Sequence, residues 1–424
     1  MPDLLLEILS EEIPARMQAK AAEDLRRLVT DGLVERGLTY AHAAAFVTPR
    51  RLTLAVEGLA ARSAAVREER KGPRVDAPAA AIEGFVRSTG LGLDALEIRA
   101  DKKAQVYFAV TVRPGREAAG IVAEAVEAAI RGFPWPKSMR WGEGALRWVR
   151  PIRSILCILT DEAGHETVPL AVEGIAAGDL TRGHRFMAPA TLAVASFEDY
   201  AGKLRRAFVL IDPAERAERI AHDAEQLAFA RGLELVPDPG LLAEIAGLVE
   251  WPVVLLGAIE ARFLALPPEV LQTSMREHQK FLSVRDPASG RIEGYVVVAN
   301  RETADGGATI LAGNARVLAA RLSDAAFFWE NDLATPLDEM AGKLAAVTFH
   351  NRLGSQAERI GRIAALAREI APAVGADADL AERAARLAKA DLASQMVYEF
   401  PELQGVMGRY YAGRAGEAAE VAAA

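Results

Sequence analysis

The spacing of hydrophobic positions changes repeatedly along the first two-thirds of the chain. Leu4-Leu5-Leu6-Glu7-Ile8-Leu9 is a short apolar run, and Arg51-Leu52-Thr53-Leu54-Ala55-Val56 alternates with period two, placing Leu52, Leu54 and Val56 on one strand face. Further strands are predicted at 106–112, 208–211, 252–256 and 295–298, where β-branched or aromatic runs are bounded by Gly, Pro or Asp. Helical patterns lie between them. Asp212-Pro213-Ala214-Glu215 has the form of a capping box with proline at the first helical position, and Ile220, Ala224, Leu227 and Ala228 follow on one stripe. From about Thr335 the strand signals stop. Leu344 and Val347, then Ile360, Ile363, Leu366 and Ile370, then Leu380, Ala384, Leu387 and Leu392 recur at helical spacing.

The expected class is therefore α+β, in three parts: an N-terminal α+β domain over 1–160, a second α+β region over 161–335, and an all-helical domain over 336–424. The polar stretch from Arg62 to Arg74, with five basic and two acidic residues, is expected as a solvated loop or helix edge. The last residues, 417–424, keep a helical pattern with no glycine or proline stop, as in a chain that ends inside an element.

Composition narrows the function classes. Of 424 residues, 51% are hydrophobic and 25% charged, enough to bury a core and too apolar for wholesale disorder. The formal net charge of -8 argues against coating nucleic acid through bulk positive charge, while leaving a local basic patch open. The one cysteine, Cys157, can form neither an internal disulfide nor a cysteine-based zinc site, and its apolar neighbours mark it as a small buried hydrophobe. Acidic residues at once follow Met1, unlike a signal peptide. The most apolar stretch, 241–266, carries Glu244, Glu250, Glu260 and Arg262 and is broken by Pro252, so no membrane span or membrane partner is expected and the location is expected to be cytoplasmic.

Familiar catalytic signatures are missing. Gly202-Lys203 and Gly342-Lys343 lack the upstream glycine and following hydroxyl of a phosphate-binding loop, and no G-x-G-x-x-G, G-x-S-x-G or H-E-x-x-H is present. The six histidines never fall in metal-ligand spacing, and adjacent acids such as Glu11-Glu12 diverge on regular structure, as on solvated faces. No catalytic residue, metal site or cofactor is expected on this chain.

Three clusters stand out instead. Between Trp135 and Arg153, Lys137, Arg140, Arg147, Arg150 and Arg153 face a single acid, Glu143, with Trp135, Trp141 and Trp148 interleaved. Arginine forks suit phosphates, and indoles suit stacking on bases or guanidinium groups. The competing reading makes the tryptophans core residues and pairs the arginines with nearby acids. A second cluster holds Arg182 and Arg185 around His184, and a third holds Arg276 and Lys280 around His278. A lone histidine in such a setting is commonly a hydrogen-bonded structural group.

Leu9-Ser10-Glu11-Glu12-Ile13-Pro14-Ala15-Arg16, Thr48-Pro49-Arg50-Arg51-Leu52, Lys137-Ser138-Met139-Arg140-Trp141-Gly142, Arg182-Gly183-His184-Arg185-Phe186 and Met275-Arg276-Glu277-His278-Gln279-Lys280-Phe281 resemble, in order, the N-terminal half of the β subunit of bacterial heterotetrameric glycyl-tRNA synthetase. Gly313-Asn314, Arg321-Leu322-Ser323-Asp324-Ala325, Lys389-Ala390-Asp391-Leu392, Glu399-Phe400-Pro401-Glu402-Leu403-Gln404-Gly405 and Met407-Gly408-Arg409-Tyr410-Tyr411 continue the series. The resemblance implies a tRNA-binding and assembly subunit of a glycine–tRNA ligase, with an α subunit as partner in an α2β2 assembly and tRNA(Gly) as substrate. ATP and Mg would be used through the α subunit, which carries the class II catalytic core. It also implies that the second region is similar to part of the phenylalanyl-tRNA synthetase β subunit, which leaves an editing-like pocket conceivable. The helical part would be an incomplete, degenerate HD-like domain, the chain stopping before a C-terminal anticodon-binding domain. A working HD hydrolase uses a His-Asp pair; here the pair position reads Ala390-Asp391, which points to a scaffold. Two other readings stay open: an autonomous hydrolase, and an assembly scaffold without RNA contacts.

Overall fold

The structure, a computed structural model, describes residues 1–101 and 104–424. The chain is mixed α+β and divides into two compact units, Met1–Pro213 and Ala214–Ala424.

The first unit is built on a seven-stranded sheet. Its strands are β1 (Asp3–Ser10), β2 (His42–Val47), β3 (Arg51–Glu57), β7 (Ile152–Asp161), β8 (Gly164–Thr167), β9 (Ala171–Val172) and β10 (Ile175–Gly178), in the order β2-β3-β1-β7-β10-β9 with β8 also paired to β7. Only β7 and β10 run parallel. Leu4, Leu6 and Ile8 point to one face, where α1 (Ala15–Glu35) and α3 (Ala118–Arg131) pack through Leu25, Val29, Ile121 and Val122. Leu5 points to the other face, covered by Tyr200 and Leu204 of α4 (Phe197–Arg206). Burial on both faces explains why β1 reads as a nearly continuous apolar run. Cys157 lies in β7 fully buried, as expected, and burial pushes its thiol up to about 12.

A smaller three-stranded sheet, β4 (Val66–Arg74), β6 (Ala104–Arg113) and β5 (Glu97–Asp101), carries α2 (Ala79–Thr89) over a core of Phe85, Leu96, Tyr107 and Ala109. The polar stretch expected as a loop or helix edge thus forms an edge strand. Its register on β6 runs from Val66 opposite Arg113 to Arg74 opposite Val106. Charged side chains suit an exposed edge, where they discourage pairing with other chains. A Cβ on Gly72 would run into the Phe85 ring, so this strand passes close under α2. A two-stranded ladder, β11 (Leu180–Arg182) with β12 (Thr191–Ala193), completes the unit.

The strand expected at 208–211 does not form. Phe208 adopts φ 60°, and the following N–H, that of Val209, bonds to the Leu204 carbonyl at 2.9 Å. Val209 is then buried under the sheet without joining a ladder, so the apolar run reflects burial alone.

In the second unit, β13 (Glu234–Leu235), β14 (Val253–Ala258), β15 (Leu282–Arg285) and β16 (Ile292–Ala299) form an antiparallel sheet in the order β13-β15-β16-β14. Leu256, Leu282, Val284 and Val296 face α5 (Pro213–Phe229) and α6 (Pro239–Ala246). Ile220, Ala224 and Ala228 of the expected α5 stripe are buried there, while Leu227 is exposed. Leu255, Tyr295 and Val297 face α7 (Pro268–Ser274) and the 26-residue α8 (Ala308–Leu333). That second core continues into later helices through Leu337, Met340, Leu387, Met396, Met407 and Tyr411. The segment after Pro336 is not wholly helical: Thr348–His350 pairs with Gly354–Ser355. The second of these strands begins at Gly354, whose φ of 88° disfavours a side chain.

Candidate functional site

The tryptophan-rich segment folds around its own aromatics. Phe133, Trp135 and Trp148 form a triangle with ring centroids 4.7, 4.8 and 5.1 Å apart, and Trp148 is fully buried. Met139 and Trp148 exchange backbone hydrogen bonds of 2.8 and 3.2 Å, which close residues 139–148 into a loop. Trp141 packs half-buried on the same core. The indoles are therefore structural, as the competing reading had it. The basic residues behave differently. Lys137, Arg140 and Arg147 are exposed, and among the described residues none has a carboxylate at ion-pair distance. Arg147 Nε donates to Ser138 Oγ at 3.2 Å, and half-buried Arg150 donates to the Val149 carbonyl at 2.8 Å.

Arg153, Arg182 and Arg185 converge although about 30 residues separate the first from the others. Arg153 stands on β7, Arg182 ends β11, and Arg185 lies in the turn after it. With Arg50, Ser154 and Glu11 they line a cavity of about 470 Å³. Glu11 bridges two of the guanidinium groups, accepting from Arg153 Nε at 2.5 Å and from Arg185 Nη2 at 3.0 Å. Arg185 Nη1 also donates to Glu12. Partial burial pushes the Glu11 carboxyl up, but the Arg153 bond and the charges of Arg153, Arg50 and Arg185 together hold it below the ordinary 4.5. Glu11 and Glu12 thus meet at Arg185 rather than diverging, because the chain bends immediately after β1.

A buried polar network fixes the rear of this basin. Glu7 lies opposite Thr53, so Arg51, two residues along β3, shares its face. Glu7 accepts from Arg51 Nε at 3.1 Å, Thr181 Oγ1 at 2.7 Å and Tyr200 Oη at 2.6 Å, and Thr53 Oγ1 lies 2.8 Å from Tyr200 Oη. Arg51 also donates to the Arg182 carbonyl, tying β11 to the main sheet. Nothing in the spacing of the basic clusters signalled Glu7, Tyr200 or Glu11; the acid inside the apolar run of β1 was the one visible sign.

The sequence profile of the family described as glycyl-tRNA synthetase beta subunit matches residues 4–424. The chain belongs to this family. It is 70% identical to the glycine–tRNA ligase beta subunit of Paracoccus denitrificans over 98% of this chain and 61% of that one. The beta subunits of Cereibacter sphaeroides (69% identical, 98% of this chain, 60% of the relative) and a Ruegeria species (67%, 100% and 62%) are similar. The chain spans about 60% of the length of these relatives.

The third basic cluster of this beta-subunit family member lies in the second unit and is matched with acids. Arg276 sits in a π-helical turn, Met275–Gln279, with Nε 3.5 Å from Asp238 and 3.3 Å from Glu277. Lys280 adopts φ 56° and reaches Glu244 at 3.2 Å. Asp391 is buried and accepts from the backbone N–H groups of Gly405 and Gly408, the second at 3.0 Å, so its Oδ2 is committed to holding the start of a helix at Val406–Arg414. Among the described residues no helix is long and apolar enough to cross a membrane, and no group of three or more His, Cys, Asp or Glu converges as a metal site.

Proposed function

We propose that this chain is the RNA-contacting, partner-dependent part of a glycine–tRNA ligase in the cytoplasm. It works with an α subunit, in an α2β2 assembly, to charge tRNA(Gly) with glycine. ATP and Mg serve the reaction through the α subunit. The names of the relatives supply the reaction; one feature of this chain supports the RNA contact. Lys137, Arg140 and Arg147 stand exposed, without carboxylate partners, on a loop whose position is fixed by buried Trp148. In a chain of net charge -8, three unneutralised cations on a braced loop are a surface kept for an anion. The basin adds a second basic surface, in which Glu11 and Glu12 hold Arg153 and Arg185 beside Arg182, while Arg276 and Lys280, each held by acids of the second unit, serve its fold. The helical residues around Asp391 act as scaffold.

The test is tRNA binding as a function of salt. Neutralising Lys137 and Arg147 together should weaken binding and lower the slope of log K against log salt by roughly 1.4–1.8, because two fewer counterions are released. An unchanged slope accompanied by a lost α-subunit complex would make this loop a protein interface instead.

A further inference from the structure

The basin has an aromatic neighbour that a phosphate-binding surface alone does not need. Phe186 follows Arg185, is 58% exposed, and has its ring 5.9 Å from the Arg185 guanidinium carbon. The turn that presents these two side chains is built from within. His184 is fully buried, and its Nδ1 accepts from the N–H groups of Phe186 and Met187, each at 3.3 Å. The imidazole thus holds the backbone from inside while Arg185 and Phe186 stand outside. Gly183 lets the turn close: a Cβ there would collide with the Ala188 carbonyl oxygen and lie 2.7 Å from the Ala207 Cβ.

We propose that this corner binds one unpaired nucleotide of an RNA, with its phosphates in the arginine basin and its base stacked on Phe186. The inference rests on the RNA-contacting reading above and says which kind of RNA structure this surface takes. Charge fits the assignment. The cavity is lined by the guanidinium groups of Arg50, Arg153, Arg182 and Arg185 with the Glu11 carboxylate, and Glu12 stands at Arg185. Glu11 holds Arg153 and Arg185 in place, Glu12 takes the second terminal nitrogen of Arg185, and Arg182 has no carboxylate partner among the described residues. The ring selects for an unpaired base. Inside an A-form helix the bases are stacked on one another, and a side chain outside reaches only phosphates, 2′-hydroxyls and base edges. A splayed base offers its π-face, which a phenyl ring accepts whatever the base.

The experiment measures fluorescence anisotropy of the whole chain with two labelled probes, a short single-stranded RNA and a blunt RNA duplex carrying the same number of phosphates. Phe186→Leu should weaken single-strand binding about tenfold while leaving duplex binding and the salt slope unchanged, and Phe186→Trp should restore it. Arg182→Gln should weaken both probes and lower the salt slope by roughly 0.7 on the single strand. Equal losses on both probes with Phe186→Leu would overturn the stacking site. So would unchanged single-strand binding in Phe186→Leu when neutralising Lys137 and Arg147 abolishes it, an outcome that leaves the RNA-contacting reading standing. Failure of the unmodified chain to bind either probe would overturn both readings. Displacement of the oligonucleotide by an equal concentration of adenosine monophosphate would show a free-nucleotide site and overturn the RNA assignment.

Discussion

Glu7 and Arg51 form an ion pair from which solvent is wholly excluded, with Arg51 Nε 3.1 Å from Glu7 Oε2. Two buried charges repay their desolvation only when the remaining lone pairs and protons are also satisfied. Here Thr181 and Tyr200 saturate the carboxylate, and the Arg182 carbonyl takes another guanidinium N–H. Burial, with the Glu7 charge adding to it, pushes the Tyr200 phenol well above 10, so it remains a donor throughout the neutral range.

Breaking this pair from one side should cost far more than trimming its rim. Glu7→Ala strands a buried guanidinium and is expected to destabilise the first unit by about 3–5 kcal/mol. Tyr200→Phe removes one hydrogen bond to a charged group and should cost about 1.5–3 kcal/mol. Urea unfolding followed by tryptophan fluorescence measures both. Equal costs would mean that the carboxylate is solvated rather than sealed.

The loop bearing Lys137, Arg140 and Arg147 should depend on Trp148 more than on any of its own charges. Trp148→Ala opens a cavity at the centre of the aromatic triangle and is expected to cost about 3–5 kcal/mol. Limited proteolysis should then cut within residues 136–147 in the variant and spare them in the unmodified chain. A loop that stays protected would move its anchor elsewhere.

Asp391 links pH to stability in the second unit. Burial raises its carboxyl above the usual 3.8, against the downward pull of the Gly405 and Gly408 N–H groups. A carboxyl with a raised folded-state value binds its proton more tightly folded than unfolded. Its contribution is therefore fully present below the unfolded value and is lost as pH rises through the folded value. Asp391→Asn keeps an oxygen acceptor for the two glycines and removes the charge. Its stability relative to the unmodified chain should increase as pH climbs from about 4 toward neutrality. Urea midpoints across a pH series check this, and a pH-independent difference would contradict it.

Glycine-dependent ATP–pyrophosphate exchange should be undetectable with this chain alone and appear on adding the α subunit. Positioning ATP and amino acid together contributes roughly 7–11 kcal/mol in favourable cases, and no phosphate-cradling loop occurs in this sequence to begin it. Exchange by the isolated chain would place a catalytic site here.

Period and burial made β1 and β3 of the main sheet legible in advance, but not β7, which pairs with β1. Strands expected at 4–9, 51–56, 106–112 and 295–298 fall within β1, β3, β6 and β16, and the one at 252–256 overlaps β14 from Val253 on. The failures share a cause. Residues 66–74 of the charged stretch pair as a strand because β6 offers a free edge, and 208–211 stays out of a ladder despite its β-branched residues because Phe208 turns the backbone. The first outcome depends on a partner strand and the second on a backbone turn, neither of which the local hydrophobic pattern encodes. Among the site residues, the exposed loop cations could be picked out from their excess over acids. The basin could not, because Glu11, Arg153 and Arg185 meet only through the pairing of β1 with β7 and the attachment of β11.

The position of Cys157 has a practical use. Its thiol sits inside β7 with no access to solvent, and at neutral pH almost none of it is thiolate. Maleimide reagents should therefore pass over the folded chain as though it contained no cysteine. A single cysteine introduced at Ser138, beside the exposed cations, would then carry a fluorophore or spin label at one defined place, with no need to remove the native thiol first.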